Sequence, residues 1–559
     1  MSFTWTASMG LSLVAALATG HPVDVQFAAH AAPVGHAQLQ LRRAFDRLCS
    51  PPLDNVELVL ADVSLEMNRR FDEYSGDISG RMLGALNAAG PLLGRQAPIL
   101  GPLVARLPAY QKPDGHFGAE QDLPRLVQKR DMPILWGNGR LLLALAERCR
   151  DDPDPTLLAS ARKLGEYMVA TRTYFGKEEN FKRLHGRGGL NFATCYPSMI
   201  DGLVALGQAT EDERFHEEAR FIGHLALLDK EFHDRHSHGR LVAYRGMLDL
   251  DYATGTRDFL DAVQADCERV ARDYLFPTGG VAEYFDRSYG RDEGCSEADW
   301  IRVNFLLWRA TGRTAYLDMA EHALCNHMIS MQFSNGGFGH YIFRELHDGE
   351  VRYPWGAVTH VGSDSYWCCA MHCTQLLADA VRWVIMKSDR DVLITWLAEA
   401  RATVKIDGRP ITISACKKSC AAWQVTVKVD EPAQTTLRLR VPGWASSIRV
   451  DGQPVRSTEG WAELSRRWQG TTTLNVTFPE TIRLAGPYAT AMKPNEPVRI
   501  FVGSDLFCLP DIAVDDDLLT PDGVPTVILA ANKTTGGTIP VLVEGRQGKP
   551  QTTALVKFT

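Results

Sequence analysis

At 559 residues the chain exceeds what a single hydrophobic core sustains, so two or three domains are expected. Apolar residues make up 45% and charged residues 23%, the balance of a globular protein, and collagen-like or low-complexity stretches are absent from the sequence. A formal net charge of -7 with both signs interspersed leaves no basic stripe for a phosphate backbone, which argues against nucleic acid, and no run reaches the roughly 18 to 20 apolar residues of a membrane span.

Residues 1–50 read as an N-terminal segment, either a leader or a lead-in to the first domain. Met9 to Thr19 is apolar, and Ala29-His30-Ala31 has the small-x-small form of a cleavage site. No Lys or Arg precedes the apolar run, however, and Pro22 and Asp24 lie between it and the site. The pattern therefore favours a cytoplasmic protein over an exported one.

Residues 51–387 read as helices. Apolar side chains recur at helical spacing, as in Leu141, Leu142, Leu143 and Leu145 and again in Leu158, Ala161, Leu164, Tyr167 and Met168. Turns such as Lys112-Pro113-Asp114-Gly115 and Thr278-Gly279-Gly280 divide the stretch into about twelve segments. A weak repeat pairs Ala209-Thr210 with Phe215, Ala253-Thr254-Gly255 with Phe259-Leu260, and Ala310-Thr311-Gly312 with Tyr316-Leu317. Each occurrence ends one helix and starts another, the glycine taking the left-handed closing position. About six such hairpins would close into an (α/α)6 toroid, and an open solenoid has the same period.

From residue 388 to 559 the period becomes two, as in Trp423 to Val429 and Thr436 to Val441. Asp407-Gly408, Pro442-Gly443 and Asp451-Gly452 mark turns between short strands, which predicts one or more antiparallel β-sandwich domains. The boundary falls near Ser388.

The twelve cysteines are scattered from Cys49 to Cys508, which is not the spacing of a disulfide framework and turns the question to metal or catalysis. Glu293 and Cys295, at i and i+2, and the adjacent pair Cys368-Cys369 would together offer four donors suited to tetrahedral Zn²⁺. Chance pairing in a cysteine-rich chain and burial as small apolar residues account for the same spacing. Glu283, beside Tyr284 and Phe285, reads as a partly desolvated carboxyl that holds its proton near neutral pH, or as an ordinary loop glutamate.

Several blocks in order resemble glycoside hydrolase family 127 and its relatives, among which β-L-arabinofuranosidase is a characterised activity. They run from Phe71-Asp72-Glu73-Tyr74-Ser75-Gly76-Asp77-Ile78-Ser79-Gly80 through Thr278-Gly279-Gly280, Glu283-x-Phe285, Glu293-x-Cys295, Ala310-Thr311-Gly312-x-x-x-Tyr316 and Cys368-Cys369. A second set follows in Leu437 to Ala445, Val450-Asp451-Gly452 and Gly460-Trp461 with Trp468, and residues beyond Leu484 match loosely. The resemblance implies an (α/α)6 catalytic toroid followed by β-sandwich modules. It implies zinc held by Glu293, Cys295, Cys368 and Cys369, with Cys368 as nucleophile and Glu283 as general acid/base. The implied reaction is retaining, exo-acting hydrolysis of a plant or microbial glycan, through a thioglycosyl intermediate on a thiolate that zinc keeps deprotonated.

Two departures bear on substrate. Relatives carry histidines in the segment matching Asn191 to Asp201, whereas this chain reads Asn191-Phe192-Ala193-Thr194-Cys195-Tyr196-Pro197-Ser198, and Ala370-Met371-His372-Cys373 follows the cysteine pair. The sugar contacts must therefore differ. Trp136, Trp355, Tyr366 and Trp367 are candidate sugar-stacking or core aromatics, and His116, His236, His238, His360 and His372 read as structural. Two alternatives keep the scaffold: a polysaccharide lyase or unsaturated-uronide hydrolase that needs no cysteine, and a carbohydrate-binding protein with closed, structural zinc.

Overall fold

The computed structural model of the chain describes residues 22–119, 132–177, 179, 192–228, 236–276, 278–285, 292–344, 350–355 and 367–479, and shorter C-terminal stretches at 482–485, 499–508, 526–529, 538–544 and 550–557. Met9 to Thr19, Asn191, His360 and Tyr366 lie outside the described residues.

Six helices form an inner ring: α1 (Asp77–Leu93), α2 (Met132–Asp151), α3 (Ile200–Thr210), α4 (Ser237–Thr254), α5 (Gly294–Thr311) and α6 (Trp367–Trp383). Each packs on the next, and α6 returns to pack on α1, so the array is a closed toroid rather than an open solenoid. Ring helices are covered on nearly every side, whereas outer helices such as Glu213–Leu228 and Leu260–Asp273 bury a single apolar stripe. The tight crossings depend on residues that lack a side chain. A Cβ on Gly80 would sit 2.8 Å from the Leu141 backbone, one on Gly202 2.8 Å from the Gly139 carbonyl, and one on Gly246 2.7 Å from the Asp201 amide.

The repeat has a structural basis in helix closure. Gly255 (φ 68°) and Gly312 (φ 71°) end α4 and α5 in the left-handed region, and Glu211 (φ 54°) does the same after α3. Phe215, Phe259 and Tyr316, the aromatics that follow, are fully buried. At the start of α1, Asp62 Oδ2 accepts the Ile78 and Ser79 amides at 2.9 and 3.1 Å, so a neighbouring segment satisfies donors that the helix cannot. One β-hairpin, His340–Arg344 with Glu350–Trp355, interrupts the helical half just before α6.

The C-terminal third is β-rich, and among the described residues the strands form one 11-stranded and one 6-stranded sheet. The long pair Ala422–Arg440 and Trp461–Thr477 forms the antiparallel spine of the larger sheet, with Val425, Val427, Val429, Leu437 and Leu439 turned inward at period two. Asp407-Gly408 and Asp451-Gly452 make their turns with both residues at positive φ. The N-terminal segment joins this sheet: Gln26–Phe27 pairs with Ile385–Ser388, and His30–Pro33 with Ala400–Ile406. At the seam between the halves, the buried Arg440 donates Nη1 to Asp318 Oδ1 at 2.9 Å and pairs with Glu321, and Gly443 N donates to Asp318 Oδ2 at 3.0 Å. The Val441-Pro442-Gly443 block thus docks the sheet on the outer helix Ala315–Ala323.

Candidate active site and metal centre

Two ring helices begin at one point. Glu293 is the N-cap of α5, with Gly294 and Cys295 in its first turn, and Cys368 and Cys369 lie in the first turn of α6. Gly294 is required there, since a Cβ would meet Cys373 Sγ at 3.0 Å, Cys369 Cβ at 3.2 Å and the Gly339 carbonyl at 3.2 Å. The positive ends of both helices face the sulfurs and favour thiolate over thiol.

Ligand atoms of Glu293, Cys295, Cys368 and Cys369 all lie within 4.8 Å of one another. Cys369 Sγ is 3.6 Å from Cys295 Sγ and 3.9 Å from Cys368 Sγ. Cys295 and Cys369 are fully buried, and Cys368 alone of the three retains partial exposure. Hydrogen bonds from Cys295 and Cys369 hold the Cys368 thiol well below its usual pKa, burial opposing and Arg81 assisting. Burial drives Cys295 and Cys369 the other way. The most exposed sulfur is therefore also the most readily ionised.

Glu283 sits on the strap between the outer helix Leu260–Asp273 and α5, and its side chain is buried. The Thr278-Gly279-Gly280 motif explains how the strap is seated. Gly280 lies against the His327 ring, where a Cβ would approach to 2.5 Å, and Val281 N donates to Glu297 Oε1 of α5 at 2.8 Å. His327 Nε2 lies 2.8 Å from Asp292 Oδ2 and 3.2 Å from Glu297 Oε1, making a second buried cluster beside the first. Burial raises the Glu297 pKa to about 8.

The structure thus brings together all five residues singled out in the sequence. Oxygens of Glu283 and Glu293 and the imidazole of His236 form a group within 4.8 Å, so Glu293 is common to the four-donor cluster and to the neighbourhood of Glu283.

Sequence reasoning missed the histidines. His236 Nε2 lies 3.1 Å from Glu293 Oε2 and 3.9 Å from Glu283 Oε1. Burial works to lower its pKa, but the two carboxylates outweigh that and raise it. His238, in the first turn of α4, bonds Asp299 Oδ2 through Nδ1 (2.6 Å) and Arg81 Nη2 through Nε2 (3.0 Å). Asp299 also contacts Arg245 Nη1 (3.0 Å) and His372 Nε2 (2.9 Å), and Arg81 Nη1 donates toward Cys295 Sγ at 3.7 Å. Burial, the largest influence, lowers the His372 pKa well below its usual value. The usable signal was polarity inside the ring: Asp77, Arg81, His238 and Asp299 are ionisable residues on helices that are buried on nearly every side.

Trp136 is 3% exposed and donates Nε1 to Asp77 Oδ1 at 3.0 Å, so it braces this network instead of presenting a face for stacking. His116 lies apart, bonded to Asp114 Oδ1 (2.6 Å) and the Ala119 carbonyl (2.9 Å). Trp355 ends the hairpin and Trp367 starts α6.

Three thiols and one carboxylate form a soft, anionic donor set that fits Zn²⁺. Comparison with known families and structures bears on the family and not on the metal. The family described as β-L-arabinofuranosidase, GH127 catalytic domain, matches residues 99–381, and its middle domain matches residues 400–480. The chain is similar in structure to a GH127 β-L-arabinofuranosidase from Geobacillus stearothermophilus T6, with TM-score 0.68 and 16% identity over 96% of this chain and 97% of that one. It is similar also to a second GH127 β-arabinofuranosidase, with TM-score 0.67 and 16% identity over 97% and 95% of the two chains. No curated protein sequence matches the chain.

Proposed function

The chain belongs to the GH127 family of glycoside hydrolases, and from that premise we propose that it is a retaining, exo-acting β-L-arabinofuranosidase-like enzyme with Cys368 as nucleophile and Glu283 as acid/base. The observation that carries the reading is the placement of Cys368: the one partly exposed sulfur in a cluster of three, next to the carboxylate that also neighbours Glu283. Glu293, Cys295, Cys368 and Cys369 would hold Zn²⁺, whose charge keeps the thiols deprotonated at neutral pH.

In the first step Cys368 Sγ forms a bond to the anomeric carbon as the glycosidic C–O bond breaks, and the Glu283 proton passes to the leaving oxygen. In the second, a water gives its proton to Glu283 while its oxygen bonds the anomeric carbon and the C–S bond breaks. Two inversions return the original configuration. Glu283 and the two inner thiols are buried, whereas Cys368 keeps partial exposure, which supports it as the sulfur that meets substrate.

The test is NMR of the first product anomer released from 4-nitrophenyl β-L-arabinofuranoside, together with metal analysis. A β product and one zinc per chain are expected. An α product, or a chain purified without zinc that turns over fully, would overturn the reading.

A further inference from the structure

We propose that His236 is the positioning residue of the acid/base, its Nε2–H bridging Glu293 and Glu283 so that the Glu283 carboxyl is held toward the leaving group. The inference rests on the reading of Glu283 as acid/base, and it concerns a residue outside every motif that carries the family resemblance.

The geometry fixes which nitrogen does the bridging. His236 caps α4 with the Gly239 amide 3.4 Å from its Nδ1, which puts a ring proton on Nε2. Nε2 then faces two carboxylates, 3.1 Å from Glu293 Oε2 and 3.9 Å from Glu283 Oε1. The nearer carboxylate anchors the imidazole, and the farther one lies within reach of the same N–H. When Glu283 has given up its proton, a donor stands ready for the new charge, and a shift of under 1 Å completes a normal hydrogen bond.

Backbone contacts make the two residues one unit. Ser237 N donates to the Glu283 carbonyl at 2.8 Å, and the Ser237 hydroxyl lies 2.9 Å from the same oxygen. His236 and Tyr284 form an antiparallel bridge, with their rings edge to face at 5.2 Å. Any displacement of the Glu283 strap is thus shared by the start of α4. His238 cannot take the same part, because both of its nitrogens are committed, to Asp299 and to Arg81.

The test compares wild type with H236A and H236Q in the full chain, measuring kcat/KM on two arabinofuranosides: a 4-nitrophenyl one, whose leaving group departs without protonation, and a methyl one, whose leaving group needs it. For H236A the expected result is a loss of about 30-fold on the methyl glycoside and under about threefold on the nitrophenyl one, with zinc content unchanged. H236Q, which keeps an N–H donor near the same place, should recover most of the loss. An equal loss on both substrates, loss of zinc from H236A, or no recovery in H236Q would overturn the proposal. E283Q run alongside separates the two claims: if it does not itself discriminate between the leaving groups, the assignment of Glu283 is what fails. If wild type cleaves neither glycoside, the functional reading fails, and the crystal structure of H236A decides the histidine's role. Glu283 displaced with Glu293 in place supports it, and both in place overturns it.

Discussion

Asp292 and Glu293 are neighbours in the chain, yet their side chains enter two buried clusters of opposite design. On the Asp292 side, His327 sits between two carboxylates and its other ring nitrogen bonds Thr278 Oγ. Burial tends to lower the His327 pKa, but Glu297 and Asp292 more than offset it and raise it, so the cluster contains a base able to balance its acids. On the Glu293 side the donors are one carboxylate and three sulfurs, with no cation among them. Arg81 and His236 reach only its edge, one sulfur and one carboxylate oxygen. A cluster that carries its own counter-charge is complete as folded, whereas one that gathers only anionic donors is built for a cation from outside.

That contrast is broken most easily at Cys368. Replacing it with alanine removes the nucleophile, and kcat/KM should fall by about 10⁴-fold or more. E283Q should fall by about 10²- to 10⁴-fold on substrates that need leaving-group protonation. A C368A enzyme that retained a tenth of wild-type activity would return both clusters to the rank of structural features. Metal content is the next test, and it discriminates between the clusters directly. One zinc per chain is expected; C369S should lose it and H327A should keep it. Two zinc ions per chain, or loss of zinc in H327A, would show that the Asp292 cluster is a metal site as well.

How far the site was legible follows from how local each signal is. The ring helices show in the sequence because their apolar period and closing glycines, Gly255 and Gly312, lie within a few residues of each other. The thiol pair shows because Cys368 and Cys369 are adjacent. His236 does not, because its partners lie 47 and 57 residues downstream and its own surroundings read as a loop before a helix. The N-terminal strands were illegible for the same reason, His30–Pro33 pairing with a strand near residue 400. Spacing within a helix is written locally, whereas convergence of loops over a ring is a property of the closed toroid.

A smaller effect is expected in stability. H327A leaves Asp292 and Glu297 buried without the imidazole they share, and should cost about 3 to 5 kcal/mol in denaturant unfolding. H327Q, which keeps a donor, should cost less. If the two variants unfold alike, the cluster is held by packing against Gly280 and not by charge.

The smallest effect tests whether self-compensation holds away from the site, at the seam where Arg440 lies between Asp318 and Glu321. Burial raises the Glu321 pKa to about 7 despite the pull of Arg440. In the unfolded chain the same carboxyl titrates at its ordinary value near 4.5. Between those two values the folded protein holds a proton that the unfolded chain has released, so this group's contribution to stability falls as pH rises from about 4.5 to 7 and is constant beyond. The slope is at most about 1.4 kcal/mol per pH unit. E321Q removes the titration while keeping a polar partner for Arg440, and its unfolding free energy should vary less steeply than wild type across that window. An unchanged slope would mean that Arg440 keeps Glu321 ionised throughout, which would make the seam a full ion pair and its charge balance closer to that of the Asp292 cluster than burial alone implies.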